Sequence, residues 1–111
     1  FNPVFDNGPG GFGHGWVKAY WEDISPLHNI SSNAPPTVVF LGTKDQYISV
    51  DSARDYKMRM KEAGRRCDLH LYEGLEHGFF NPDRKNGYFK KTLEVVDSFL
   101  TSLKYLRDPL Y

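Results

Sequence analysis

Two short stretches of this 111-residue chain hold the residue types that general acid–base chemistry uses: Gly42-Thr43-Lys44-Asp45 and Glu76-His77-Gly78-Phe79. An imidazole titrates nearest to neutrality of all side chains. A carboxylate beside it fixes which ring nitrogen carries the proton and stabilises the protonated form. Asp45 and His77 stand 32 residues apart, room for a loop, a helix, a strand and a second loop. Taken singly, each has an ordinary explanation. An Asp after a strand is commonly a turn former that bonds main chain two residues on, and a His beside Gly is commonly a solvated loop residue. His14 and His28, in irregular segments, and His70, on the polar phase of a strand, are read as solvated. The expectation for Asp45 and His77 comes from their joint placement.

That placement is set by the elements around them. Thr37 to Leu41 is a continuous β-branched and apolar run bounded by Pro36 and Gly42, a strand covered on both faces. Val50, Ala53, Tyr56, Met60 and Ala63 recur at helical spacing, with Ser49 or Asp51 as the N-cap and Gly64 as the terminator. Cys67, Leu69 and Leu71 then alternate with Asp68, His70 and Tyr72, a second strand with one apolar face. Phe89, Leu93, Val96, Leu100 and Leu103 predict an apolar stripe along a last helix, which Pro109 would not continue. Strand, helix, strand, helix in this order predicts a parallel pair, and in a parallel pair both loops leave the same edge of the sheet. The fold class expected is α/β, with an incomplete sheet that exposes an edge.

Residues 1–36 are organised differently. Phe1 to Phe5 reads as the end of a strand, Asn7 to Gly15 as a Gly-rich loop, Trp16 to Asp23 as a short helix stopped by Ser25-Pro26, and Ser31 to Pro36 as a connector. Aromatic residues make up 15% of the chain, and many lie between Phe1 and Trp21, outside the periodic segments. Phe12 and Trp16 there, with Phe79 beside His77, are the candidate substrate-binding rings, against a plainer role in packing. Gly8-Pro9-Gly10-Gly11-Phe12-Gly13 fits G-x-G-x-x-G in form. A dinucleotide site would need a strand before it and an acid about 20 residues on, and Asn29 to Ser32 supplies none. Asp6, His14 and His28 lack the spacing of metal ligands, so no metal is expected.

Composition narrows the function classes. Fourteen basic residues balance fourteen acidic ones, which gives no electrostatic case for nucleic acid or an anionic membrane. The longest apolar stretch, Val38 to Leu41, is far short of the roughly 18 residues of a membrane span. Cys67 is the one cysteine; it excludes an internal disulfide and leaves the compartment unknown, and its inward phase makes it a packing thiol.

The stretch Val38-Val39-Phe40-Leu41-Gly42-Thr43-Lys44-Asp45, with Glu76-His77-Gly78-Phe79 after it, resembles the C-terminal part of α/β-hydrolase-fold esterases and lipases. The likeness is to the bacterial branch related to acetyl esterases and the hormone-sensitive lipase group. Phe1-Asn2-Pro3-Val4-Phe5-Asp6 and Ser25-Pro26-Leu27 are similar to that branch as well. The resemblance implies a triad acid at Asp45, a triad base at His77, a small ester substrate and no cofactor. In this fold the order is Ser, acid, His, with the Ser on a Gly-x-Ser-x-Gly elbow. None of Ser25, Ser31, Ser32, Ser49, Ser52, Ser98 and Ser102 has Gly two places before and two after, and Cys67 has Arg65 and Leu69 there. The expectation is therefore a single partial α/β-hydrolase domain over 1–111, in which 37–111 is a βαβα unit and the nucleophile lies upstream. Such a piece would be inactive alone and would self-associate through its open sheet edge or its aromatic N-terminal segment. The alternatives are a non-catalytic structural or interaction piece, and a peptidase or lactone hydrolase on the same fold.

Overall fold

The computed structural model describes residues 1–107. The chain divides into two compact units, Phe1–His77 and Gly78–Tyr111.

The first unit is organised by two parallel strands, β1 (Thr37–Gly42) and β2 (Cys67–Tyr72), paired in register from Thr37 with Cys67 to Gly42 with Tyr72. They make the only sheet among the described residues. Because side chains alternate along a strand, Val39 and Leu41 share one face of β1. That face forms the core with Phe5, Leu27, Ile48, Ala53, Met60 and Cys67. Burial pushes the Cys67 thiol up, as suits a packing thiol.

Before the strands, the expected helix over 16–23 is broken into short turns: α1 (His14–Val17), a 3₁₀ turn Lys18–Tyr20, and α2 (Trp21–Ile24). Lys18 is the cause. Its φ of +38° lies outside the helical region and interrupts the hydrogen-bond ladder. Phe1 to Phe5 likewise does not form a regular strand. Asn2 takes φ +47°, and its N–H donates to Phe40 O of β1 at 3.0 Å. The connecting helix, α3 (Val50–Glu62), begins at Ser49, whose hydroxyl accepts the Ser52 N–H at 3.1 Å, and Gly64 at φ +72° ends it. Of the two candidate caps, Ser49 is the one used.

The Gly-rich loop is tied down at its base by one buried hydroxyl. Ser25 Oγ accepts the N–H of Asn7 at 3.0 Å and donates toward Phe5 O at 3.3 Å, while Leu27 N–H donates to Phe5 O at 2.7 Å. Ser25-Pro26, expected only to stop a helix, is thus also an anchor.

The second unit holds a 3₁₀ turn, Pro82–Arg84, and α4 (Tyr88–Ser102). Here the expected stripe is corrected. Phe89 and Leu93 are 46% and 47% exposed, whereas Thr92 and Phe99 are buried. Thr92 is tolerated inside because its hydroxyl donates to Tyr88 O at 2.8 Å and Phe89 O at 3.1 Å, so no polar group is stranded. Pro109, the expected stop, lies outside the described residues; the helix ends at Ser102, capped by Leu103.

Candidate active site

Both residues picked out by type and spacing stand beyond the carboxyl ends of the two strands. Asp45 follows β1 by three residues and His77 follows β2 by five, both within the first unit. His77 Nδ1 lies 2.8 Å from Asp45 Oδ2. The other carboxylate oxygen, Oδ1, accepts the main-chain N–H of Tyr47 at 2.8 Å and of Ile48 at 2.9 Å. The turn-forming and the imidazole-facing explanations of Asp45 therefore hold together, one for each oxygen. The Asp45 side chain is fully buried, and that of His77 is 40% exposed. An acceptor-only carboxylate makes Nδ1–H the donor, which leaves Nε2 as the basic nitrogen. Nε2 has no hydrogen-bond partner among the described residues.

The approach of the two loops depends on Gly42. A β-carbon there would come within 2.1 Å of Leu75 O, a backbone atom. That carbonyl accepts the N–H of Lys44 at 2.9 Å, and Thr43 N–H bonds Tyr72 O at 3.0 Å. Gly42→Ala should therefore push the 73–77 segment away from Asp45. The expected result is a loss of about 1–3 kcal/mol of stability, measured by thermal melting, and disruption of the Asp45–His77 contact, read from the ring resonances of His77.

Aromatic rings line one side. Tyr47 stands edge-on to His77, centroids 5.0 Å apart at 80°, and Phe12 stands edge-on to Tyr47 at 6.2 Å. Trp16 continues the series, 6.1 Å from Phe12 and 84% exposed. A cleft beside Tyr47 is bounded by Val4, Phe5, Asp6, Phe12 and Ile48. Phe79 lies in the second unit, buried, with its ring against Phe80 and Tyr88 at 5.1 Å and 5.6 Å. Sequence reasoning missed Tyr47. The available signal was its place two residues after Asp45, where an Asp side chain commonly bonds main chain.

A second serine, histidine and aspartate also meet, with the wrong geometry for catalysis. Ser25 Oγ and Asp6 Oδ1 lie 2.8 Å and 4.0 Å from the same nitrogen, Nδ1 of His28. A proton relay needs the acid and the hydroxyl at opposite ring nitrogens. Ser25 is also fully buried, so no substrate reaches its Oγ. His28 is exposed, as expected, and its Nδ1 also bonds Ser25 Oγ; His14 is half-buried, its Nδ1 2.9 Å from Asn7 O. Among the described residues no group of three His, Cys, Asp or Glu side chains is placed to hold a metal ion.

Comparison with known proteins agrees with this architecture. Residues 13–106 match the dienelactone hydrolase family. This chain belongs to that family. As a dienelactone hydrolase-family chain it is similar to esterase 2 of the planctomycete Thermogutta terrifontis with propionate bound. The TM-score is 0.86 at 35% identity, over 98% of this chain and 43% of the relative. The same esterase phosphorylated by paraoxon gives a TM-score of 0.77 at 39% identity, over 80% of this chain and 35% of the other. Esterase LipC of Mycobacterium tuberculosis is 35% identical over 60 residues, 53% of this chain and 15% of its own length. The family chain thus spans about two-fifths of the length of the first of these solved relatives. The expected α/β-hydrolase fold with an incomplete sheet stands. No helix among the described residues is long and apolar enough to cross a membrane.

Proposed function

We propose that the protein carrying this chain hydrolyses small carboxylic esters through a Ser–Asp–His triad, to which this chain contributes Asp45 and His77. The observation that carries the reading is the 2.8 Å contact between a fully buried carboxylate and Nδ1 of an imidazole whose side chain is partly exposed. Nε2 takes the proton of a serine hydroxyl supplied outside this chain as its oxygen attacks the ester carbonyl. The tetrahedral adduct collapses to an acyl-enzyme, and the leaving alcohol departs with the proton held on Nε2. Water then attacks the acyl group, giving its proton to Nε2; collapse returns that proton to serine and frees the acid. Asp45 keeps Nδ1–H as the donor and stabilises the imidazolium while remaining ionised. Phe12, Tyr47 and Trp16 are the rings we assign to the substrate side. Support comes from relatives that are esterases, one of them phosphorylated by paraoxon; a phosphoryl group transferred to an enzyme is what an activated nucleophile produces.

The family match favours one variation, opening of a lactone, an internal ester whose alcohol stays attached to the acyl group. Stopped-flow hydrolysis of p-nitrophenyl acetate tests the main reading. The protein with its Gly-x-Ser-x-Gly segment should show a burst of one p-nitrophenol per site, and the 111-residue chain alone none. A burst from the short chain, or none from the longer one, overturns it. A lactone turned over faster than the acetate under the same conditions would select the variation.

A further inference from the structure

Besides the Asp45–His77 contact itself, the loops that carry the two residues meet in three hydrogen bonds, and only one of these three depends on a side chain. Thr43 N–H to Tyr72 O and Lys44 N–H to Leu75 O are main-chain bonds open to any residue but proline. The third runs the other way: the Gly74 N–H donates to Thr43 Oγ1 at 2.8 Å, across 31 positions of sequence. Gly74 sits inside the turn Tyr72 to Leu75, with φ +76°, and the turn's own closing bond uses the Leu75 N–H. The Gly74 N–H therefore has no partner within the turn and is satisfied by the threonine hydroxyl. Thr43 stands two residues before Asp45, and Gly74 three before His77.

We infer that Thr43 is a positioning residue: its hydroxyl holds the turn leading to His77 against the loop leading to Asp45, and so sets the Nδ1–Oδ2 contact. The kinetic side of this inference rests on the ester-hydrolase reading; the geometric side does not. The bond is exposed, so water replaces it at little cost when the hydroxyl is removed, and folding feels little. Alignment of reacting groups is far less forgiving, since a shift of about 1 Å can cost on the order of 100-fold in rate. A residue that acts in this way alters catalysis without altering melting.

Thr43→Val keeps the branched shape and removes the acceptor; Thr43→Ser keeps the acceptor. In protein labelled with ¹⁵N at histidine, the Nδ1 proton of His77 should give the low-field resonance of an imidazole bonded to a carboxylate. In Thr43→Val that resonance should broaden away or move upfield. Turnover number on p-nitrophenyl acetate should fall about tenfold or more with KM within about twofold, an alignment loss rather than a binding loss. Melting temperature should stay within a few degrees, and Thr43→Ser should recover both resonance and rate. Thr43→Ala gives the same loss without β-branching, should valine crowd the turn. A valine variant with unchanged resonance and rate overturns the inference, and so does a serine variant as impaired as valine. If the protein has no esterase activity at all, the ester reading falls and the resonance alone decides the role of Thr43.

Discussion

Replacing His77 by Ala should lower kcat on p-nitrophenyl acetate by about 10⁴–10⁶-fold in the protein that carries the nucleophile, the scale on which triad members act as a unit. His77 is the group through which every proton of the proposed reaction passes. Without Nε2, serine attacks as a neutral alcohol and the leaving alkoxide departs unprotonated. The fold should persist with a loss of about 1–3 kcal/mol, because the ring is 40% exposed but its removal takes the hydrogen bond from Oδ2 of the buried Asp45. KM should also move little, since substrate contacts are assigned to Phe12, Tyr47 and Trp16. Burst amplitude and steady-state rate, with circular dichroism as the control for folding, are the measurements. A loss of less than about tenfold would remove His77 from the role of base.

Asp45→Asn should cost about 10⁴-fold in kcat by a different route. Its Oδ1 is held by the N–H groups of Tyr47 and Ile48, so an asparagine keeps its carbonyl oxygen on those two donors. The amide nitrogen then faces His77 Nδ1, and an NH₂ group can only donate. The imidazole must carry its proton on Nε2, where the serine proton has to go. The fold would persist while the tautomer is wrong. Nitrogen-15 shifts of the His77 ring would display that reversal directly, alongside the kinetics. Asn variants with near-normal kcat would show that the acid serves only the turn.

The pair and its two strands were legible in the sequence because their signals are local. A β-branched run between Pro36 and Gly42 allows few structures, and the parallel order of elements places both loops on one edge. What escaped notice was set by tertiary surroundings. The apolar spacing puts Phe89, Leu93, Val96, Leu100 and Leu103 on one stripe, yet Thr92 and Phe99 are the buried residues of α4, and Phe89 and Leu93 are exposed. A pattern of residue types does not reveal that a threonine can satisfy its hydroxyl within its own helix. The break at Lys18 is invisible for the same reason, since nothing in lysine's chemistry announces a positive φ. By residue type Gly42 bounds the strand and Thr43 belongs to the loop that leads to Asp45. Their importance lies in contacts with Leu75 and Gly74, which only the paired loops create.

Both halves of the acid–imidazole pair hang from one strand–helix–strand unit, Thr37 to His77, and every hydrogen bond described between their loops lies inside it. Heritably, this makes the pair a cassette. A recombination event with one crossover before Thr37 and another after His77 would carry acid, base and the spacing between them into a new protein in a single exchange. A crossover inside α3 would instead mix two lineages' versions of loops that have to fit each other to a fraction of an ångström.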